Sequence, residues 1–252
     1  MNTLSVANLA IEVFDTRQAL GEAAGKAIES KMLELLGQQD EIRMIFAAAP
    51  SQNEVLKYLR GSARIPWHRV TAFHMDEYIG LPAKAPQRFA NFLKDKLFDL
   101  VPFKAVHLMD GDQDSETECQ RYTALLTEKP IDIVCLGIGE NGHIAFNDPP
   151  VADFNDPEIM KVVTLDQACR QQQVNDGCFA TIDLVPKEAL TLTVPTLMQG
   201  NFLYCVVPGD TKRAAIAKTL ADPVSTDCPA TILKEHPNCH LYLDQASYGK
   251  SE

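Results

Sequence analysis

Residues 131–150 read IDIVCLGIGENGHIAFNDPP and join an apolar run to a loop rich in glycine. The run contains several β-branched residues, which favours a buried strand. Gly137, Gly139 and Gly142 then follow the G-x-G-x-x-G spacing that often marks a dinucleotide phosphate loop. Such a loop should lead into a helix, whereas this one leads into two prolines. The fold and the ligand class both depend on how this segment is interpreted.

Runs with strand character alternate with stretches of helical periodicity on both sides of this segment. Asp15 or Thr16 can cap a helix that extends to Leu36, and a second helix begins at Ser51. This alternation predicts an α/β fold, with a doubly wound, mainly parallel sheet. The predicted strands are 9–14, 42–48, 69–74, 105–109, 131–138, 189–194, 202–207 and 240–244. Further helices are predicted near 87–98, 115–128, 211–221 and 229–234.

Composition limits the classes of protein to consider. No linker, repeat or low-complexity tract divides the 252 residues, which predicts a single domain over 1–252. The formal charge of −11, with scattered basic residues, argues against nucleic acid or anionic membranes as partners. Seven cysteines without a C-x-x-C pair favour reduced thiols over a disulfide or zinc framework. Without a secretion signal or a membrane-length apolar segment, we expect a cytoplasmic protein.

The loop after residue 136 has two interpretations. Dinucleotide binding has some support, since Asp166 follows a plausible strand, MKVVTL, near the distance of a ribose-binding acid. Three prolines between Gly142 and Met160 leave no room for the required helix. The glycines are better explained as a tight turn that presents His143, with Asp148 placed to orient the imidazole and favour its charged form. A histidine that merely satisfies loop carbonyls is the alternative.

The segment FHMDEYIGL places Asp76 and Glu77 directly after a predicted strand. In a doubly wound sheet, ligands bind beyond the carboxyl ends of the strands, so a carboxylate there can serve as a base. Neighbouring side chains of an extended segment point to opposite sides, so one of the two faces the ligand. A helix cap or a solvated turn is the competing interpretation.

Two further strand ends suggest an anion site. In VVPGDTKRAAI, Lys212 lies in the first turn of a predicted helix, where a cation is unfavourable unless an anion is bound. A solvated lysine is the alternative. In AAAPSQNEVL, Ser51 is expected to cap the next helix, with Glu54 at the capping-box position. That helix start could also bind phosphate, although Pro50 lacks an N–H.

Four segments, spread over nearly the whole chain, resemble the motifs of one known family in sequence, order and spacing. They are FHMDEYIGL, LGIGENGHIAFNDPP, VVPGDTK and CPATILKEHP. Together they resemble the glucosamine-6-phosphate deaminase/isomerase family, which shares a fold group with the 6-phosphogluconolactonases. The lactonases typically continue with Thr-Ala-Ser-Leu after Gly-His and carry Asp-Glu-Arg where this chain has MDEY. The resemblance implies a modified Rossmann-like fold and an enzyme without metal or cofactor. It also implies a deaminase-like hydrolase/isomerase that converts glucosamine 6-phosphate to fructose 6-phosphate and ammonia.

The resemblance also implies catalytic roles. His143 would move a proton at the sugar ring oxygen, and Asp76 would carry a proton from C2 to C1 of the open chain. Asn141 and Asp148 would flank the imidazole, where the family usually has an aspartate and a glutamate. Asn141 can hydrogen-bond the imidazole but cannot stabilise imidazolium by charge.

Phosphate binding is implied for a second set of residues. Lys212, Ser51 and the backbone around Ala49 would hold the phosphate, and Gly139 would let the backbone approach the substrate. The family's phosphate arginine has no clear match, and Arg170 or Arg88 could substitute for it. The expected partner is thus a small amino sugar phosphate, and assembly into a homo-oligomer stays open.

Three other functions compete with this one: galactosamine-6-phosphate deaminase, 6-phosphogluconolactonase and a non-catalytic sugar-phosphate sensor. Retention of Asp76, His143 and Lys212 favours catalysis, because a sensor has no need of a carboxylate placed as a base. The changed carboxylates beside the histidine leave the sugar epimer open.

Overall fold

An eight-stranded sheet runs through the centre of the computed structural model, which describes residues 2–249. The strands within that range are β1 (Asn2–Val6), β2 (Leu9–Phe14), β3 (Ile42–Phe46), β4 (Val70–His74), β5 (Asp76–Tyr78), β6 (Ala105–Val106), β7 (Ile133–Leu136), β8 (Met160–Thr164), β9 (Glu188–Leu192), β10 (Phe202–Val207) and β11 (Cys239–Asp244). The order in this sheet is β1-β2-β11-β10-β7-β3-β4-β6. Every neighbouring pair is parallel except β1 with β2, which confirms the predicted mainly parallel sheet.

Helices cover both faces of this sheet. They are α1 (Arg17–Leu36), α2 (Asn53–Gly61), α3 (Phe89–Leu93), α4 (Ser115–Thr127), α5 (Gln167–Asn175), α6 (Val194–Met198), α7 (Arg213–Ala221) and α8 (Gln245–Tyr248). Residues of α1, α2 and α3 pack with Met44 and Phe46 of β3 in one apolar core. Residues of α4, α6 and α7 pack with Ile45 of the same strand in a second core. Because alternate residues of a strand point to opposite faces, these two cores lie on opposite sides of the sheet, as a doubly wound fold requires.

A second, three-stranded sheet contains β5, β9 and β8 in that order, and both pairs are antiparallel. The prediction that the segment 189–194 is a strand of the main sheet is wrong. An apolar, β-branched run identifies a strand but carries no information about its partner. The short β5 was not predicted as a strand, since three residues show no periodicity.

Several element boundaries differ from the prediction. The segment 229–234 forms a 3₁₀ helix, Pro229–Glu235, and the segment 87–98 forms α3 followed by a π turn, Lys94–Phe98. A 3₁₀ turn, Asp210–Lys212, precedes α7. The strand predicted at 105–109 shortens to β6. Helices α5, α6 and α8 were not predicted, because helices of four to nine residues are too short to show a clear helical period.

The two predicted N-caps have different outcomes. Thr16 caps α1, and its side chain accepts a hydrogen bond from the Ala19 N–H at 3.1 Å, as expected. The Ser51 cap is wrong, because a 3₁₀ turn begins at Pro50 and places Ser51 inside the turn instead of before it. The seven cysteines are all unpaired. Within residues 2–249, no helix is long and apolar enough to cross a bilayer.

Candidate active site

A cavity of about 470 Å³ opens where the main strands end. Four of the segments in its wall directly follow strands: Ala47–Ser51 after β3, Met75 and Asp76 after β4, Gly137–Gly139 after β7, and Pro208–Lys212 after β10. This placement agrees with the general location of ligands beyond the carboxyl ends of parallel strands. Asp76, His143 and Lys212, which are distant in sequence, all line this cavity.

Asp76 presents a buried carboxylate to the cavity. It is the first residue of β5 and is 7% exposed. Burial, together with the charge of the neighbouring Glu77, raises the pKa of Asp76 well above its usual range. Within residues 2–249, its side chain accepts no hydrogen bond. A carboxylate with a raised pKa and no fixed partner is suited to accept a proton and to return it.

Glu77 points away from the cavity and caps a helix. Its carboxylate accepts hydrogen bonds from the backbone N–H groups of Tyr78 at 2.8 Å, Phe89 at 3.1 Å and Ala90 at 2.9 Å, and so satisfies the start of α3. Burial raises the pKa of Glu77 to about 7, although these hydrogen bonds oppose the shift. Each of the two interpretations of this acidic pair therefore holds for one residue. Asp76 faces the cavity, and Glu77 caps a helix.

His143 is held by contacts to one edge of its imidazole. The ring nitrogen Nδ1 lies 2.7 Å from Asn141 Oδ1 and 2.9 Å from Asp148 Oδ1. Two acceptors on the same nitrogen place the ring proton on Nδ1, so that Nε2 of the neutral ring is an acceptor. Within residues 2–249, Nε2 makes no hydrogen bond. This nitrogen is therefore available to exchange a proton with a ligand.

A turn with a left-handed residue brings Asp148 back to the imidazole. Ile144 and Asn147 form a β-bridge, and between them Ala145 has a φ of 47°. The Asn147 amide donates to the Leu192 carbonyl at 2.8 Å and ties this turn to β9. A non-glycine residue in the left-handed region costs of order 1 kcal/mol, so the surrounding contacts must hold it. The reversal lets Asp148 reach a ring only five residues away.

Asp148 is fully buried and stays ionised. Burial by itself would raise the pKa of this carboxyl. Hydrogen bonds from His143 and Asn141, the positive charge of His143 when it is protonated and the Asp166 N–H outweigh burial, and the pKa of Asp148 is lowered. The Asn141 amide donates to Asp148 Oδ1 at 2.9 Å. The carboxylate can therefore stabilise a positive charge on the imidazole.

One set of side chains near the imidazole could hold a metal ion. His143, Asp148 and Cys169 present ligand atoms that lie within 4.8 Å of one another. Burial, followed by the charge of Asp148 and a hydrogen bond to it, raises the pKa of Cys169 well above its usual range, which disfavours the thiolate that a metal requires. Chemistry without a metal stays a prediction.

Lys212 brings a buried ammonium to the cavity. It is 6% exposed at the end of the 3₁₀ turn before α7. Burial lowers the pKa of Lys212, and the carboxylates of Asp176 and Glu140 partly oppose this effect. Within residues 2–249, its ammonium forms no ion pair or hydrogen bond. A buried cation without a partner is an anchor for an anionic ligand.

The remaining predicted contacts to substrate lie in the same wall. Ala49, Ser51 and Gly139 all line the cavity. A Cβ atom at Gly139 would lie 2.1 Å from Cε1 of His143, so the imidazole packs directly on the glycine backbone. This contact explains the glycine better than a nucleotide loop does. Asp166, the acid considered for a ribose, instead caps α5.

Comparison with known proteins places the chain in a family. The model of the glucosamine-6-phosphate isomerases/6-phosphogluconolactonases matches residues 15–241. The chain belongs to this family. Among curated relatives, a glucosamine-6-phosphate deaminase of Bacillus cereus is 34% identical over 236 residues, which cover 93% of this chain and 86% of the relative. A glucosamine-6-phosphate deaminase of Lactobacillus delbrueckii subsp. bulgaricus is 35% identical over 189 residues, 74% of this chain and 78% of the relative.

Solved structures show the same fold. A monomeric glucosamine-6-phosphate deaminase has a TM-score of 0.85 and 27% identity, with 95% of this chain and 98% of that chain covered. A 6-phosphogluconolactonase from Thermotoga maritima has a TM-score of 0.76 and 20% identity, with 94% and 99% covered. The second likeness concerns the fold alone. The predicted modified Rossmann-like architecture of the deaminase/isomerase type is confirmed.

The structure accommodates both departures from the usual family motif. Asp148 has a shorter side chain than glutamate, yet its carboxylate contacts the ring because of the turn at Ala145. Asn141 replaces an acid but accepts from the ring at Nδ1 and donates to Asp148. One carboxylate and one amide therefore hold the imidazole of this family member.

The two arginines considered for phosphate binding do not line the cavity. Arg170 on α5 donates to the carbonyls of Ile182 at 2.6 Å and Val185 at 3.0 Å. Arg88 donates to the Leu81 carbonyl and pairs with Asp112. Because both guanidinium groups tie loops together, neither is placed to bind a ligand in the cavity.

Several residues of the cavity wall were missed in the sequence, among them Gln172, Gln173 and Arg17. Gln172 and Gln173 line the cavity from α5. This helix was not predicted because its apolar pattern is weak. Arg17 lines the cavity from the first turn of α1. Arg17 could have been predicted from the sequence, because it is a basic residue at the start of a helix that follows a strand, as Lys212 is. The same argument from the helix dipole applies to both.

Proposed function

We propose that this protein converts a 2-amino-2-deoxyhexose 6-phosphate, with glucosamine 6-phosphate as the first candidate, to the ketose 6-phosphate and ammonia. The observation that carries the proposal is the convergence of Asp76, His143 and Lys212 on one cavity. The family contains deaminases and lactonases, and the relatives of highest identity named above are deaminases. A volume of about 470 Å³ is ample for a hexose phosphate.

Ring opening is the first step that the residues support. The C1–O5 bond of the pyranose breaks, O5 gains a proton and the C1 hydroxyl loses one. Nε2 of His143 can carry such a proton, since Nδ1 is already fixed by Asn141 and Asp148. The negative charge of Asp148 stabilises the imidazolium that forms during the transfer.

Isomerisation and deamination follow on the open chain. Asp76 removes the proton from C2, the electron pair of that bond forms the C1–C2 double bond, and the carbonyl pair of C1 moves to O1. O1 takes a proton from the 2-ammonium group of the substrate, which gives a neutral enolamine. The protonated Asp76 returns the proton to C1, which leaves an iminium at C2. Water adds to C2 and ammonia departs, so that amino sugar phosphate and water balance ketose phosphate and ammonia. The water consumed in the last step is the hydrolytic part of the reaction.

The phosphate anchors the substrate for these proton transfers. The cavity is lined by Lys212, Ser51 and the backbone near Ala49. Within residues 2–249, the ammonium of Lys212 has no partner. Holding the phosphate keeps C1 and C2 within reach of Asp76 and stabilises the bound substrate and the transition state alike, so its loss is expected mainly in KM. The unpaired thiols of this chain are compatible with the reducing cytoplasm that we propose as its location.

The test is an ammonia-release assay with purified protein. Glucosamine 6-phosphate and galactosamine 6-phosphate are supplied in parallel, and 6-phosphogluconolactone hydrolysis is followed separately. We expect ammonia from at least one amino sugar phosphate, and its loss in Asp76→Asn. Hydrolysis of the lactone without ammonia release would replace the deaminase with a lactonase. Binding of the sugars without any turnover would identify a sensor.

A further inference from the structure

Arg17 is the basic residue of the cavity wall that the resemblance does not account for. Within residues 2–249, Arg17 and Lys212 are the arginine and the lysine that line the cavity. The arginines first considered for the phosphate, Arg170 and Arg88, are engaged elsewhere. The wall therefore contains one guanidinium without an assigned role.

The guanidinium of Arg17 is fixed on one side and free on the other. Nε lies 2.9 Å from Oε2 of Glu54, an ion-pair contact without hydrogen-bond geometry, and Nη2 donates to the carbonyl of Pro50. Within residues 2–249, Nη1 makes no hydrogen bond, and the side chain is 41% exposed. Glu54 and Pro50 belong to the segment that also carries Ser51, so the contacts hold the guanidinium beside a predicted phosphate contact.

Close packing of two helices brings Arg17 to this position. A Cβ at Gly21 would lie 2.2 Å from Cβ of Glu54, and a Cβ at Gly25 would lie 2.6 Å from the ring of Tyr58. Arg17, Gly21 and Gly25 are spaced by four residues and share one face of α1. The two glycines thus let α1 approach α2 and carry the first turn of α1 onto the cavity rim.

The charge pattern agrees with an anionic ligand. A cation in the first turn of a helix is disfavoured by the helix dipole, and a single carboxylate, Glu54, offsets only part of that cost. A phosphate dianion beside Arg17 and Lys212 would be matched by two positive charges. It would also gain the planar donors that suit guanidinium to phosphate.

We propose that Arg17 binds the phosphate of the substrate together with Lys212, and that Glu54 and the Pro50 carbonyl hold its guanidinium in place. The assignment rests on the proposed function for the identity of the substrate, although phosphate binding can be measured without turnover. The arginine of the phosphate site then lies at the start of α1 instead of in the segment after β8.

The test compares Arg17→Ala with Arg213→Ala, whose guanidinium donates to the Ala246 carbonyl and does not line the cavity. We expect Arg17→Ala to raise KM for the amino sugar phosphate about 10- to 100-fold, with kcat changed less than about threefold. The dissociation constant of inorganic phosphate, measured by calorimetry, should rise by a similar factor. Arg213→Ala should change neither value.

Two further variants separate binding from a structural effect. Arg17→Lys keeps the positive charge but loses the planar, paired N–H donors of the guanidinium. Its KM should therefore lie between those of wild type and Arg17→Ala. Glu54→Gln should raise KM in wild type but have little effect in the Arg17→Ala background, because the two side chains act as a unit. Thermal unfolding of each variant confirms that it is folded.

Several outcomes would overturn the assignment. They are an unchanged KM and phosphate affinity in Arg17→Ala, an equal effect of Arg213→Ala, a loss confined to kcat, or no phosphate binding by the wild type. If phosphate binding weakens in Arg17→Ala but no amino sugar phosphate releases ammonia, the proposed reaction fails and the Arg17 assignment stands.

Discussion

The substitution Asp148→Asn probes the charge that holds the imidazole of His143. Oδ1 of Asp148 accepts from His143 Nδ1 and from Asn141 Nδ2, both at 2.9 Å. Oδ2 accepts a longer hydrogen bond from the Asp166 N–H at 3.3 Å. Asparagine has the same shape, so its carbonyl can keep both contacts on the Oδ1 side while the negative charge is lost.

The magnitude follows from these contacts. Hydrogen bonds to an ionised partner are about twice as strong as neutral ones, so neutralising Asp148 weakens each of two bonds by about 0.5–1.5 kcal/mol. The sum of about 1–3 kcal/mol corresponds to a loss of about 5- to 150-fold in kcat/KM, since about 1.4 kcal/mol is tenfold. The Asp166 contact is too long to add much.

The assay is ammonia release from glucosamine 6-phosphate across a pH series, with Asp148→Glu as the matched variant that keeps the charge. We expect Asp148→Glu to retain more activity than Asp148→Asn. The lowered pKa of Asp148 adds a stability test. Its contribution to the free energy of unfolding is present above the unfolded-state pKa and is lost as the pH falls through the lower folded-state pKa. Wild type should therefore exceed Asp148→Asn in stability at neutral pH, and the difference should shrink in acid. Activity of Asp148→Asn within twofold of wild type would refute the reasoning.

Three other substitutions test separate parts of the site. Asp76→Asn should lower kcat about 10²- to 10⁴-fold. The same substitution should raise the free energy of unfolding at neutral pH. Burial and Glu77 raise the pKa of Asp76, so ionisation of Asp76 lowers the stability of the wild type as the pH rises. Urea titrations at pH 5 and pH 8 that show no greater stabilisation at pH 8 would contradict this. Gly139→Ala should lower kcat/KM about 100-fold, since the new methyl would lie 2.1 Å from the imidazole of His143, and normal activity in a folded variant would disprove that contact. Lys212→Gln should raise KM for the sugar phosphate about 10- to 100-fold and leave weak turnover of unphosphorylated glucosamine unchanged, and equal losses on both substrates would argue against a phosphate anchor.

The sequence was most informative where a pattern was long or a motif was specific. Helix α1 was predicted to end at Leu36 and does so, because its apolar residues recur over twenty positions. The strands of the main sheet were found with errors of a few residues at their ends, except for β1, which was not predicted. The polar residues after those strands, Asp76, His143 and Lys212, were candidates because the end of a parallel strand is a defined place.

Sequence reasoning failed where the partner of a segment mattered more than its own pattern. The strand near 189 pairs in a separate sheet, and Ser51 lies inside a turn that a proline begins. Arg170 and Arg88 were considered for phosphate by their distance along the chain, yet each is held by carbonyl groups of a nearby loop. Neither the direction of a long side chain nor the acceptors near it can be read from local sequence.

The amino-acid sequence by itself determined the alternation of strands and helices, the candidate residues at the strand ends and the resemblance to a family, since each depends on local periodicity or on a contiguous motif. The tertiary structure alone decided that Asp76 rather than Glu77 faces the cavity, that Asp148 reaches the imidazole and that Arg17 contacts the Pro50 carbonyl. These facts depend on contacts between segments far apart in the chain, where close packing at Gly21 and the left-handed turn at Ala145 set the geometry.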